Sequence, residues 1–140
     1  MYTISAEASF DSAHFLAGYE GKCSNIHGHH WRVVAEMKGD TLMTDGQHRG
    51  MISDFGDIKR ALGSVLEQYD HCLIYEDRTL KTSTVAALLS EGFRLVTLPC
   101  RPTAENLARI IFGKMKERGF SVGKVTVYET PGNCASYIEK

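Results

Sequence analysis

In the segment His27-Gly28-His29 two imidazoles stand two residues apart, just ahead of a stretch rich in aromatic and β-branched residues that includes Trp31, Val33 and Val34. If Gly28 to Lys38 is a strand, its pleat turns both rings to one face, with only a glycine between them. That is a metal-ligand spacing. Upstream, His14 ends an alternating run in which Tyr2, Ile4, Ala6, Ala8 and Phe10 interleave with Thr3, Ser5, Glu7, Ser9 and Asp11. The two runs can pair antiparallel, and three imidazoles converging on one cation leave a position open for water or substrate. Zinc is the first choice, because neutral imidazole suits it and no thiolate set is required. The competing reading is that these histidines make ordinary hydrogen bonds at the surface or in the core. His30 falls on the opposite face and His48 in a polar connection, so neither is expected to act.

Three further groups could do chemistry. Cys23 lies four residues before His27. A thiol near a cation can ionise at neutral pH and serve as base or nucleophile. It can equally be a small buried hydrophobe, or a fourth zinc ligand that closes a structural site. Asp70-His71 sets a carboxylate beside an imidazole, a pair able to tune proton transfer, or else it is simply a helix end with a histidine in its last turn. Glu129 ends the run Val125-Thr126-Val127-Tyr128, where a carboxylate is as readily just solvated.

The elements that must position these groups can be read from periodicity. Asp54 can cap a helix whose stripe is Phe55, Ile58, Leu62, Val65, Leu66 and Tyr69, ending near Asp70-His71. A second helix begins after Pro102 with Thr103 as N-cap, turns Leu107, Ile110, Ile111 and Met115 inward, and stops at Gly119. Lys124 to Tyr128 and Ala135 to Ile138 read as strands around the Pro131-Gly132-Asn133 turn. Between residues 75 and 100 the pattern is weak, with a short helix over Thr82 to Ser90 and a strand over Arg94 to Leu98. The order strand, strand, helix, helix, strand, strand implies an α+β fold, an antiparallel four-stranded sheet with two helices packed on one face.

Composition bounds the rest. A chain of 140 residues, 43% hydrophobic and 24% charged, is expected to form one domain over 1–140. A formal net charge of -1 lacks the footprint of a nucleic-acid binder. No apolar run reaches the roughly 18 to 20 residues of a membrane span, so a soluble, cytoplasmic protein with no membrane partner is expected. Its four cysteines form no C-x-x-C pair, and reduced thiols follow as the default.

Taken together, these residues resemble the 6-pyruvoyl-tetrahydropterin synthase family, whose members include the 6-carboxy-tetrahydropterin synthases and share the tunnelling fold. The resemblance runs through Phe10-Asp11-Ser12-Ala13-His14, Cys23-Ser24-Asn25-Ile26-His27-Gly28-His29 and Gly50-Met51-Ile52-Ser53-Asp54-Phe55. It continues through Asp70-His71, Pro102-Thr103-Ala104-Glu105-Asn106-Leu107 and Val127-Tyr128-Glu129-Thr130. The short gap between Cys23 and His27 looks like the bacterial carboxy branch. Arg101 and Cys72-Leu73-Ile74 depart from the usual pattern, and the stretch from Tyr75 to Cys100 is longer than in compact members.

The resemblance implies that His14, His27 and His29 hold zinc, Cys23 abstracts a proton and Asp70 with His71 completes a relay. It implies that Glu129 anchors the guanidine-like edge of a pterin, in a pocket that Thr103 and Glu105 help to line. The implied activity is zinc-dependent cleavage of dihydroneopterin triphosphate to 6-carboxy-tetrahydropterin and acetaldehyde, on the route to queuosine. Synthesis of the pyruvoyl product, or a non-catalytic zinc- or pterin-binding module, is the alternative. The implied assembly is a homo-hexamer, two stacked trimers whose sheets close into a barrel, with active sites at subunit interfaces.

Overall fold

The computed structural model describes residues 1–140. Two long strands form its spine. β1 (Tyr2–His14) and β2 (His27–Gly39) pair antiparallel along their whole length, from Tyr2 opposite Gly39 to His14 opposite His27. The alternation read in the sequence is the reason, since it gives each strand one apolar face. Between them, the chain makes one 3₁₀ turn at Lys22–Ser24.

After a polar connection come α1 (Phe55–Glu67), β3 (Leu73–Glu76), α2 (Thr82–Ser90), β4 (Leu95–Leu98), α3 (Ala104–Glu117), β5 (Val122–Thr130) and β6 (Asn133–Tyr137). The sheet runs in the order β4-β3-β1-β2-β5-β6. The expected four-stranded antiparallel sheet is therefore its β1, β2, β5, β6 portion, and two strands must be added. β3 pairs parallel with β1, and β4 parallel with β3. α2 carries the chain back to the starting end of β3, as the parallel pairing of β4 with β3 requires. β3 is four residues long, too short to show a period.

α1 and α3 pack on one face, as expected, and enclose the core. Phe10, Trp31, Val33, Val125 and Val127 of the sheet meet Ile58, Leu62, Leu107 and Ile111 of the helices. Phe55 is a correction. It is 55% exposed, because it opens the first turn of α1 and sits beside Tyr2 and Met51 at a smaller cavity of about 380 Å³. The third helix, α2, buries none of its residues. No helix is long and apolar enough to cross a membrane.

Both long helices start where the sequence predicts. The Asp54 carboxylate accepts from Gly56 N–H at 2.6 Å and Asp57 N–H at 3.4 Å, and Thr103 Oγ1 accepts from Asn106 N–H at 3.2 Å. Asp54→Ala is expected to cost about 1 kcal/mol of stability, read from urea unfolding. An unchanged midpoint would show that the cap contributes nothing.

Candidate metal centre

The register of β1 on β2 brings three imidazoles together. His14 lies opposite His27, and Ser12 opposite His29, so period two sends all three rings to the face that carries Phe10 and Trp31. The His14 ring meets those of His27, His29 and Trp31 at centroid distances of 4.5, 5.0 and 5.0 Å. Trp31 is fully buried, its indole N–H donated to Ser12 Oγ at 2.8 Å, and it forms a dry floor beneath the cluster.

Backbone carbonyls set the ring tautomers. His14 Nδ1–H donates to the Pro102 carbonyl at 2.8 Å, and His27 Nδ1–H to the Asn25 carbonyl at 2.7 Å. A carbonyl only accepts, so in the neutral rings both Nε2 atoms carry lone pairs, and these lie 3.0 Å apart. Two facing lone pairs repel unless a proton or a cation lies between them. Burial pushes the His14 and His29 imidazoles below the usual histidine range, toward the neutral form that a metal requires.

A fourth group reaches the same point. Val125, Val127 and Glu129 share one face of β5, and the pairing with β6 shifts between Tyr128 and Thr130, leaving Glu129 at the irregularity. Such a bulge re-aims a side chain. Glu129 Oε1 lies 2.7 Å from His29 Nε2 and 3.8 Å from His14 Nε2. The nearer contact lacks hydrogen-bond geometry, and His29 Nε2 is a buried nitrogen with no hydrogen-bond partner. The ligand atoms of His14, His27, His29 and Glu129 all fall within 4.8 Å of one another. Three neutral imidazoles and a carboxylate are a donor set that suits zinc. The sequence singled out Glu129 but not its contact with the histidines, which depends on the bulge.

Asp70 and His71 stand elsewhere. His71 has a left-handed backbone, φ 53°, a conformation that costs a non-glycine residue on the order of 1 kcal/mol or more. It is held by His71 N–H donating to the Asp11 carbonyl at 2.6 Å. The His71 Nδ1 then lies 2.9 Å from Asp70 Oδ1. Asp11 N–H, donated to Asp70 Oδ1 at 2.9 Å, is the main influence keeping the Asp70 carboxyl below the usual carboxylate range. Arg94 completes the support, its guanidinium donating to the Glu67, Gln68 and Asp70 carbonyls beyond the end of α1.

Residues next to one another on a strand face opposite ways, so Asp11 and His30 point away from the trio. His30 Nδ1 and Asp11 Oδ1 are 2.8 Å apart. This second imidazole–carboxylate pair, which the sequence reading passed over, lies with His71 on a cavity of about 730 Å³ also lined by Leu73, Leu88 and Phe93. Ser12 and His29 also line this cavity, although alternation along the strands turns their side chains to the trio's face.

The remaining predicted residues scatter around these two faces. Cys23 is half-buried in the 3₁₀ turn, and its carbonyl accepts Leu16 N–H at 2.9 Å. It is not among the side chains whose ligand atoms cluster. Cys72, by contrast, is a closed thiol: burial pushes it up to about 11, and its S–H donates to the Tyr69 carbonyl. Thr103 caps α3 next to the Pro102 that holds His14, while Glu105 is exposed in the first turn. His48 sits 3.7 Å from Asp54, apart from both faces.

Known proteins match the chain over nearly its whole length. The family model described as 6-pyruvoyl tetrahydropterin synthase matches residues 3–140. The 6-carboxy-5,6,7,8-tetrahydropterin synthase of Haemophilus influenzae is 38% identical, over 99% of this chain and 100% of its own length. The protein of that name from Synechocystis is 32% identical, over 99% and 94%. Among solved structures, 6-pyruvoyl tetrahydropterin synthase of Caenorhabditis elegans superposes with a TM-score of 0.71 at 25% identity, covering 99% of this chain and 96% of that one. An uncharacterized Wolinella succinogenes protein shares the fold, with a TM-score of 0.77 at 18% identity and coverage of 99% and 98%. With the histidine cluster, the register that builds it and a match over nearly every residue, the chain belongs to the 6-pyruvoyl tetrahydropterin synthase family.

Proposed function

We infer that the chain is a zinc-dependent lyase that converts 7,8-dihydroneopterin triphosphate and water into 6-carboxy-5,6,7,8-tetrahydropterin, acetaldehyde and triphosphate. The observation that carries this reading is the meeting of the His14, His27 and His29 nitrogens in a chain whose relatives bear the carboxy-synthase name. The product would feed the synthesis of queuosine and related deazapurines in the cytoplasm, where four free thiols stay reduced. The family match over residues 3–140 supports a single domain spanning 1–140.

Bound at the three histidines, zinc would supply Lewis-acid polarisation of the substrate's side-chain hydroxyls. Cys23 takes a proton from the side-chain carbon. Asp70 engages the His71 Nδ1–H, which leaves Nε2 free to carry protons to and from the side-chain oxygens. Glu129 accepts two N–H donors from the guanidine-like edge of the pterin, and Thr103 with Glu105 lines the pocket at the start of α3.

Within one chain Asp70 and His71 form a group with Asp11 apart from the one in which the trio's ligand atoms meet. That separation supports a site shared between copies, each lending Asp70 and His71 to a neighbour's trio, in a homo-hexamer of two stacked trimers whose sheets close into a barrel. The test is incubation of metal-analysed protein with dihydroneopterin triphosphate and identification of both fragments. Acetaldehyde is expected. A three-carbon side chain retained on the ring would mean the pyruvoyl activity, and binding without turnover would mean a non-catalytic zinc- or pterin-binding module.

A further inference from the structure

We propose that Glu129 is a fourth, displaceable ligand of the cation held by His14, His27 and His29, closing the site until a pterin draws its carboxylate away. The inference rests on the metal and pterin roles given above and adds a form of regulation to them.

Distances carry the first part. Ligand atoms bound to one tetrahedral zinc at about 2.0–2.1 Å lie about 3.3 Å from one another. The His14–His27, His29–Glu129 and His14–Glu129 separations are 3.0, 2.7 and 3.8 Å, a set that scatters around that spacing. Glu129 has no lysine or arginine partner, its only ion-pair contacts being the two imidazoles. Because Nδ1 of His14 is committed to a carbonyl, the carboxylate faces a lone pair there rather than an N–H group. A shared cation turns that repulsive arrangement into a bonded one, and it explains a 2.7 Å approach that makes no hydrogen bond.

Chemistry and local structure carry the second part. A catalytic zinc keeps one position for substrate, and here the chain's own carboxylate sits where a fourth ligand belongs. Glu129 is 30% exposed and lies at the irregularity between β5 and β6, so its side chain can turn outward without disturbing the core. The N–H edge of a pterin offers two donors in the fork a carboxylate prefers. A carboxylate engaged on both cannot also hold the cation, so binding the ring would open the fourth position to the side-chain hydroxyls of the same molecule.

The experiment is a competition titration of Zn²⁺ against a chromophoric chelator, using metal-stripped full-length protein, Glu129→Gln and Glu129→Asp. Glu129→Gln is expected to weaken zinc binding about tenfold or more, at least the loss usual for a disturbed outer-shell partner, with Glu129→Asp in between. Metal-free unfolding midpoints equal to that of the unsubstituted chain show that the fold is intact, and if the Gln variant falls short, the Asp variant carries the comparison. Zinc affinities within twofold of the unsubstituted chain would overturn the proposal. With Co²⁺ as the probe, saturating 6-methylpterin, which has the N–H edge but no side-chain hydroxyls to reach the metal, is expected to shift the visible bands of the unsubstituted chain by drawing the carboxylate away. Unshifted bands in the unsubstituted chain would overturn displacement. None of these readouts depends on turnover, so a zinc-loaded chain unable to cleave dihydroneopterin triphosphate would sink the lyase reading alone.

Discussion

Cys23→Ala is expected to lower turnover by about 10²–10⁴, the usual contribution of one positioned acid or base, while the protein keeps its zinc. Metal retention follows from where the thiol sits, and the loss of turnover from the proton-abstracting role proposed for it. Cys23 belongs to the 3₁₀ turn leading into β2 and is absent from the group whose ligand atoms meet, so its loss removes no metal donor. A thiolate closing a structural zinc site predicts the reverse, lost metal and lower stability. Metal analysis beside steady-state kinetics separates the two, and full turnover in the variant would remove Cys23 from the chemistry. The same variant tests the shared site. Co-expressed with His71→Ala, it should form mixed assemblies with turnover that neither parent shows, since some sites would then pair an intact thiol with an intact relay. No recovery would argue for a site complete in one chain.

The second large effect is expected at His14. This ring is 2% exposed, packs edge-on against Trp31 and donates to the Pro102 carbonyl. His14→Ala therefore removes a metal donor, leaves a cavity and strands a buried acceptor. The expected stability loss is about 2–4 kcal/mol, with zinc affinity reduced beyond about 100-fold. His27 is only half-buried, so His27→Ala should lose metal as completely with a smaller change in unfolding midpoint. His30→Ala is the control, because that ring faces the other side of the sheet and should leave zinc content unaltered. If His14→Ala bound zinc normally, the three-histidine centre would be wrong.

Much of the candidate metal centre was legible because it depends on period and register alone. The alternation from Tyr2 to Phe10, the His27-Gly28-His29 spacing and antiparallel pairing suffice to point three rings one way. The helix caps at Asp54 and Thr103 were legible for a similar reason, since capping is decided within one turn. What escaped depends on distant partners. β3 and β4 are short parallel strands, β3 paired at both edges and β4 at one, and nothing in Leu73–Glu76 announces a neighbour. Asp11 and His30 read as the wet sides of their strands, and their contact with one another and that of Asp11 with Asp70 required the fold. Nor could spacing anticipate a left-handed His71, whose geometry depends on Asp11 and Arg94 rather than on its own neighbours in sequence.

β1 carries His14 toward the helices and Asp11 toward the opposite cavity, three residues apart on one unbroken strand of 13. A slip of one residue against β2 would invert both at once. Errors in pairing should therefore yield inert molecules instead of half-competent ones, and catalytic output per bound metal ion should stay constant across preparations however poorly the bulk has refolded.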